Sequence, residues 1–243
     1  MNQKDTHPPG YATRPMSGTP IEKPAVSDHY RGERGARYFG WQGSGGELEA
    51  RIELAKFQGE VSPRDRVVDF GCGGGWLLGL LSCAERTGVE PNPPARAEGQ
   101  RRGLRIVESS AELGDSSADV VISNHALEHT LAPWTELREL ARVLRPGGRL
   151  LLWLPIDDWR RQRRPRAADV NHHLYTWTPQ LLANLLAEAG FEVRQCRVVA
   201  HAWPRYHRVL FRLLPRRAFD VLARIWARLA LRRQLHATAV KAQ

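Results

Sequence analysis

The chain has 243 residues, enough for one α/β domain with appendages and a substantial core. Its 36 lysines and arginines against 26 acids give a formal charge of +10, a balance that suits nucleic acid, an anionic membrane surface or an acidic acceptor and says nothing about fold. Three cysteines without C-x-x-C spacing (Cys72, Cys83 and Cys196) speak against a disulfide framework or a cysteine metal cluster and for a reducing, cytoplasmic setting, and no run approaches the ~18 apolar residues of a membrane span.

Residues 1–26 are rich in Pro and Gly, poor in apolar side chains and without the apolar h-region of a signal peptide, which predicts a flexible tail. From 27 to 60 the composition changes. Tyr30, Tyr38, Phe39 and Trp41 precede a stretch with helical spacing, so this segment reads as a helical cap. Val67, Val68 and Phe70 form a short buried strand with Asp69 near its end, followed by a turn through Gly71, Gly73, Gly74 and Gly75 and an apolar helix start. Strand, glycine turn and helix let backbone N–H groups approach a nucleotide-like ligand with no Cβ in the way. Trp76 stands where the dinucleotide fingerprint would need its third glycine. An acid before the glycines would repel a pyrophosphate, and it suits a ligand carrying an amine or a sulfonium.

A second strand runs from Arg86 and ends in Glu90, about 20 residues beyond Gly71, where a carboxylate can accept both hydroxyls of a ribose. A helix over 94–102, a third strand over 104–108 and a fourth from Asp119 to Asn124 follow. Leu137, Leu140, Ala141 and Leu144 repeat at helical spacing, and Arg145-Pro-Gly-Gly148 closes that helix. Leu150 to Leu154 is continuously apolar, as in a parallel strand covered on both faces. A helix over 179–189 and a sixth strand over 191–199 complete an alternation that predicts a doubly wound sheet.

Two histidine groups stand at the strand ends. His125 and His129 lie four residues apart after the fourth strand, a spacing compatible with a metal pair, but the sequence shows no third ligand and no metal is expected. His172, His173 and Tyr175 lie in the loop after the fifth strand. Here His125 or His173 is a candidate general base, set against the plainer reading of polar lid residues. Trp153, Trp159 and Trp177 either line an acceptor pocket or pack the lid, and Arg160, Arg161, Arg163, Arg164 and Arg166 form a basic run there. As a helix, 216–231 places Phe219, Leu222, Ile225, Trp226 and Leu229 on one face and Arg217, Arg224 and Arg228 on the other. Such an element either packs its apolar face on the sheet or lies on an anionic membrane.

Four motifs in order resemble the class I S-adenosylmethionine-dependent methyltransferases: VVDFGCGGG, TGVEPN, ADVVISNHALEH and ELARVLRPGGRLLLWLP. LYTWTPQLLANLLAEAGFEV is also similar to small-molecule methyltransferases, those of quinone biosynthesis included. The resemblance implies an α/β, doubly wound, Rossmann-like sheet of seven mostly parallel strands with the last antiparallel, here drawn from 234–243. It divides the chain into a core over 61–202 and a basic helical insertion over 203–233. It further implies S-adenosyl-L-methionine as cofactor, with Gly71 and Gly73 facing the methionine moiety and Asp69 beside its amine. Glu90 would hold the ribose, Ser110 and Ala111 the adenine edge, and Asn124 would end the fourth strand under the methyl donor. The acceptor so implied is a small or lipid-linked molecule, O-methylation being favoured, for an enzyme in the cytoplasm or peripheral to a membrane. An RNA methyltransferase and a cofactor-binding protein without turnover are the alternatives. Ser123-Asn124-His125-Ala126 lacks the Asn/Asp-Pro-Pro-Tyr/Phe motif, which argues against nucleic acid.

Overall fold

The computed structural model describes residues 27–158, 160, 162–166 and 169–242. The tail over 1–26, Trp159 and Arg161 lie outside them. A cap of two helices, α1 (Gly32–Gln42) and α2 (Gly46–Glu53), precedes the sheet. The core then alternates β1 (Arg66–Phe70), α3 (Trp76–Leu80), β2 (Glu85–Val89), α4 (Pro93–Arg101), β3 (Arg105–Val107), β4 (Ala118–Asn124), α5 (Pro133–Val143), β5 (Leu144–Pro155), α6 (Pro179–Glu188) and β6 (Phe191–Ala200). Two further helices, α7 (His207–Leu213) and α8 (Arg216–Leu229), lead to β7 (Arg233–Lys241).

The seven strands form one sheet in the order β3-β2-β1-β4-β5-β7-β6. β1 to β5 pair in parallel, and β7 runs antiparallel to both β5 and β6. The direction of winding reverses between β1 and β4, and a crevice opens there at the carboxyl ends of the strands. Alternation along the strands divides the core between two faces. Val67, Val120, Ile122 and Leu151 pack with Leu77, Leu78 and Phe57 on one side. Val68, Val121, Leu150 and Leu152 pack with Leu137, Leu140, Leu182 and Leu186 on the other. The central strands are therefore apolar at consecutive positions, and each fully buried leucine contributes about 1.5–3 kcal/mol.

One feature departs from the pattern the sequence predicts, and a second concerns the face of the insertion that the sequence left open. β5 starts at Leu144, which pairs with Ala118 before the register shifts at Val120. The Arg145–Gly148 turn, with Gly147 at φ +73°, is thus a detour inside the strand's span as well as the end of α5. The insertion is helical but only partly seated. Phe219 and Ala227 are buried, whereas Ile225, Trp226 and Leu229 are exposed by 49, 40 and 77 %. The apolar face of α8 therefore does not simply cap the sheet.

The insertion is anchored to the cap. Arg216 donates to the carbonyls of Arg51 and Ile52 at 2.8 and 3.0 Å, capping the end of α2, while Arg208 donates to Glu49 at 2.8 Å. Phe219 meets Phe211 edge to face, with ring centroids 5.1 Å apart. Phe219→Ala is expected to lower unfolding free energy by about 3–5 kcal/mol in urea denaturation, and a loss below about 1 kcal/mol would show that α8 is not packed as described.

Candidate donor and acceptor site

The crevice at the β1/β4 switch is a cleft of about 710 Å³. Its walls include Gly71, Glu90, Asn92, Ser109, Ser110, His125, Ala126, His129 and Glu136, and the cap contributes Tyr30, Tyr38 and Gln42. Gly71, Gly73 and Gly75 all have positive φ, between +54° and +78°, so the turn is one that L side chains resist. A Cβ on Gly71 would stand 2.3 Å from the Ala126 side chain. Glycine at 71 therefore lets the turn pack closely against the Ala126 segment at the cleft wall.

Glu90 is the hinge of the cleft. One carboxylate oxygen accepts from the Gly73 N–H at 2.8 Å and the other from the Asn92 N–H at 2.9 Å. A carboxylate oxygen can accept more than one bond, so both retain capacity toward the cleft. Burial raises the Glu90 pKa, and the two N–H bonds oppose that rise. Asp69 is buried beneath it, raised to about 7 by burial and then by the charge of Glu90. A buried and a half-buried carboxyl side by side, both with raised pKa values, suit a cationic partner. A sulfonium with an ammonium group, above a glycine turn and beside an acid with free acceptor capacity, fits that demand, so these residues are compatible with S-adenosylmethionine.

The other predicted residues separate. Ser110 lines the cleft, and Ala111 lies next to it in a 3₁₀ turn that Ser109 and Glu112 close as a capping box. Asn124 is turned away. Its amide donates to Glu53 at 2.9 Å and accepts from the Lys56 ammonium at 2.9 Å, so it joins β4 to the cap and does not line the cleft. Lys56 is buried over the Trp153 ring, and its ammonium also pairs with Glu53 and Gln234. Burial pushes Glu53 up, but Lys56 and His201 outweigh it and hold its carboxyl well below the usual range. Trp153 stacks on His236 and Trp177 is buried, so both pack rather than line an acceptor pocket.

The two candidate bases also part. His125, in the left-handed region at φ +58°, reaches the cleft wall, and burial followed by the charge of Lys56 lowers it to about 3. It is neutral at pH 7 but a weak base. His173 stands behind the wall, its Nδ1 2.8 Å from Asp157. Burial lowers His173, but Asp157 and Glu128 more than compensate and raise it. His129 lies between them and joins Tyr30 at 2.6 Å. Gln42 and Glu136 were not among the residues the sequence analysis singled out, and Asn92 entered only as the last residue of TGVEPN. Glu136 was masked by its place in the apolar repeat of α5.

The fold, the glycine turn and the Glu90 clamp define a class I, S-adenosylmethionine-dependent methyltransferase. The model of the methyltransferase-domain family matches residues 36–196, and the chain belongs to that family. It is similar to "Probable tRNA methyltransferase 9B" of Bos taurus, 27 % identical over 176 residues covering 70 % of this chain and 37 % of that protein. An uncharacterized methyltransferase of Mycobacterium sp. (strain JLS) is 36 % identical over 102 residues, 38 % of this chain and 40 % of that one. The chain thus spans about two-fifths of the length of these relatives. Among solved structures, the methyltransferase in complex with the Haloferax volcanii Trm112 activator superposes with a TM-score of 0.62 at 19 % identity, over 85 % of this chain and 98 % of that one. Phosphoethanolamine N-methyltransferase 2 of Haemonchus contortus, in complex with S-adenosyl-L-methionine, has a TM-score of 0.59 at 16 % identity, over 89 and 59 % of the two chains.

Two outcomes test the site. Glu90→Ala is expected to weaken S-adenosylmethionine binding by about 1–3 kcal/mol in calorimetry, the cost of leaving hydroxyl donors unpaired, and an unchanged dissociation constant in a folded variant would remove the ribose assignment. Burial raises Glu136 to about 7, with Ser110 opposing and Glu139 adding to the rise. A carboxyl whose folded pKa exceeds its unfolded value binds protons on folding, so its contribution is full below about pH 4.5 and lost as pH rises through about 7. Glu136→Gln should therefore raise the melting temperature at pH 8.5, by roughly 2–4 °C per kcal/mol recovered, and raise it less at pH 5. An equal change at both pH values would contradict this.

Proposed function

We propose that the protein transfers the methyl group of S-adenosylmethionine to a hydroxyl of a small or lipid-linked acceptor, working at an anionic membrane surface. The observation that carries the membrane part is the exposed apolar side of α7 and α8. Val209, Leu213, Val221, Ile225, Trp226 and Leu229 are all exposed, between 40 and 77 %. Arg212, Arg217, Arg224 and Arg228 flank them, also exposed. Leucine and tryptophan beside arginine is the composition of an interfacial helix, in which apolar groups enter the headgroup boundary and cations meet lipid phosphate. No helix among the described residues is long and apolar enough to cross a membrane.

When bound, S-adenosylmethionine supplies a methyl group already activated on sulfonium. The chain's own residues then have to bind, orient and exclude water. Gly71, Asp69 and Glu90 hold the donor side. Tyr30, Tyr38 and Gln42 close the cleft from the cap, and His125 and His129 form the wall on which an acceptor would rest.

A second reading, an RNA acceptor, is favoured by the likeness to the bovine protein and by the charge of +10. Methyl-labelled donor incubated with fractionated extracts separates the two: label is expected in the small-molecule or lipid fraction, and label that RNase removes contradicts the proposal. For the surface, co-sedimentation with anionic vesicles at low salt is expected, weakening as salt shortens the Debye length. Replacing Arg217, Arg224 and Arg228 together by Gln should abolish it with the fold intact. Equal absence from anionic and neutral pellets would reject the membrane reading.

A further inference from the structure

Glu128 is wholly buried, and neither of its carboxylate oxygens has a hydrogen-bond partner. A buried carboxylate without partners is costly enough to require a reason. The reason lies in what faces it. His129 Nε2 is 3.7 Å and His173 Nε2 4.0 Å from the same oxygen, Oε1. The three ligand atoms lie within 4.8 Å of one another.

The far nitrogen of each ring is already committed. His173 Nδ1 donates to Asp157 at 2.8 Å. His129 Nδ1 lies 2.6 Å from the Tyr30 hydroxyl, whose own proton goes to the Asn171 carbonyl at 2.5 Å. The hydroxyl can then only accept from His129, so Nδ1 of that ring carries its proton. Both imidazoles in their neutral form thus turn an Nε2 lone pair toward Glu128. A carboxylate behind one histidine and a tyrosine behind the other are the supports that orient imidazole ligands. The two loops that carry the three residues are also tied: the Leu174 N–H donates to the Glu128 carbonyl at 2.9 Å, and the Tyr175 hydroxyl to the Leu131 carbonyl at 3.1 Å.

We propose that Glu128, His129 and His173 form a binding site for one divalent transition-metal ion. The sequence pairs His129 with His125, a pair that lacks a third ligand; the fold pairs it with Glu128 and with His173 from beyond β5. Ligands at about 2.0–2.2 Å from a common ion are roughly 3–3.5 Å apart, so separations of up to 4.8 Å would have to contract by about 1–2 Å. Two imidazoles and one carboxylate suit Mn²⁺, Fe²⁺, Co²⁺ or Zn²⁺ over the hard ions Mg²⁺ and Ca²⁺, and they leave coordination positions open. His129 also lines the cleft, so an open position is placed to take an oxygen of the acceptor, a hydroxyl or a pair of adjacent hydroxyls. That use rests on the methyltransferase reading; the ion site itself does not. The rival is a proton in place of the ion, with His173 charged against Glu128.

The test uses the tag-free full chain after chelator treatment. Titration with Zn²⁺ is expected to show one high-affinity equivalent with a dissociation constant of about 10 μM or tighter, and Co²⁺ to give visible d–d bands that Zn²⁺ removes. Glu128→Gln, which keeps the shape, and His173→Gln should each abolish that equivalent. Asp157→Asn should weaken it about 10–100-fold. Circular dichroism and S-adenosylmethionine calorimetry on each variant report the fold and the donor site separately, so loss of the donor reading would not be mistaken for loss of the ion. Absence of a one-to-one equivalent in the unmodified protein, or its survival in both ligand variants, overturns the proposal.

Discussion

The Glu90 carboxylate bridges the two loops that follow the paired strands β1 and β2. Its bond to the Gly73 N–H holds the turn after β1, and its bond to the Asn92 N–H holds the turn after β2. Carboxylate acceptors of backbone N–H groups make charge-assisted bonds, stronger than neutral ones. The same residue thus fixes the floor of the cleft and presents its free acceptor capacity to a ligand. Asn92 extends the connection, since its side-chain amide donates to the Gly35 carbonyl at 2.9 Å and seats α1 over the cleft. A Cβ at Gly35 would meet the Tyr30 carbonyl at 2.3 Å, so the start of α1 can fold this closely on the residues before it only with glycine there. Floor and lid are therefore one hydrogen-bonded unit.

A second polar unit holds the cap from the other end. Lys56, Glu53, Asn124 and Gln234 form a buried network that links α2 and the turn after it to the ends of β4 and β7. Removing one member would leave a buried charge or amide unpaired, which costs more than the pair contributes. The network gives Asn124 a structural task at the end of β4, and it leaves the cleft wall to His125, Ala126 and His129.

What was legible in the sequence was whatever depends on neighbours along the chain. Val67 to Phe70, Leu150 to Leu154 and the glycine turn between β1 and α3 carry their periodicity or their breakers locally, and the antiparallel β7 followed from the resemblance. The place of Glu90 at the end of β2, beside the glycine turn, was legible from its distance from Gly71. The cluster about Glu128 was not, because the adjacent pair Glu128 and His129 is completed only by residues far along the chain, with His173 reaching His129 and Tyr30 reaching Asn171. The exposed face of α8 was left open between packing and solvent for a related reason. Helical spacing shows that Phe219, Ile225 and Leu229 share a face, but only the partner surface decides which of them is covered, and here it covers Phe219 alone of the three.

The central claim is that Glu90 holds the donor while it holds the cleft together. A crystal structure with S-adenosylhomocysteine tests it most directly. The account predicts both ribose hydroxyls within hydrogen-bond reach of the Glu90 carboxylate, with the bonds to the Gly73 and Asn92 N–H groups retained. A ribose bound elsewhere, or a Glu90 side chain rotated off either N–H to reach it, would contradict the account.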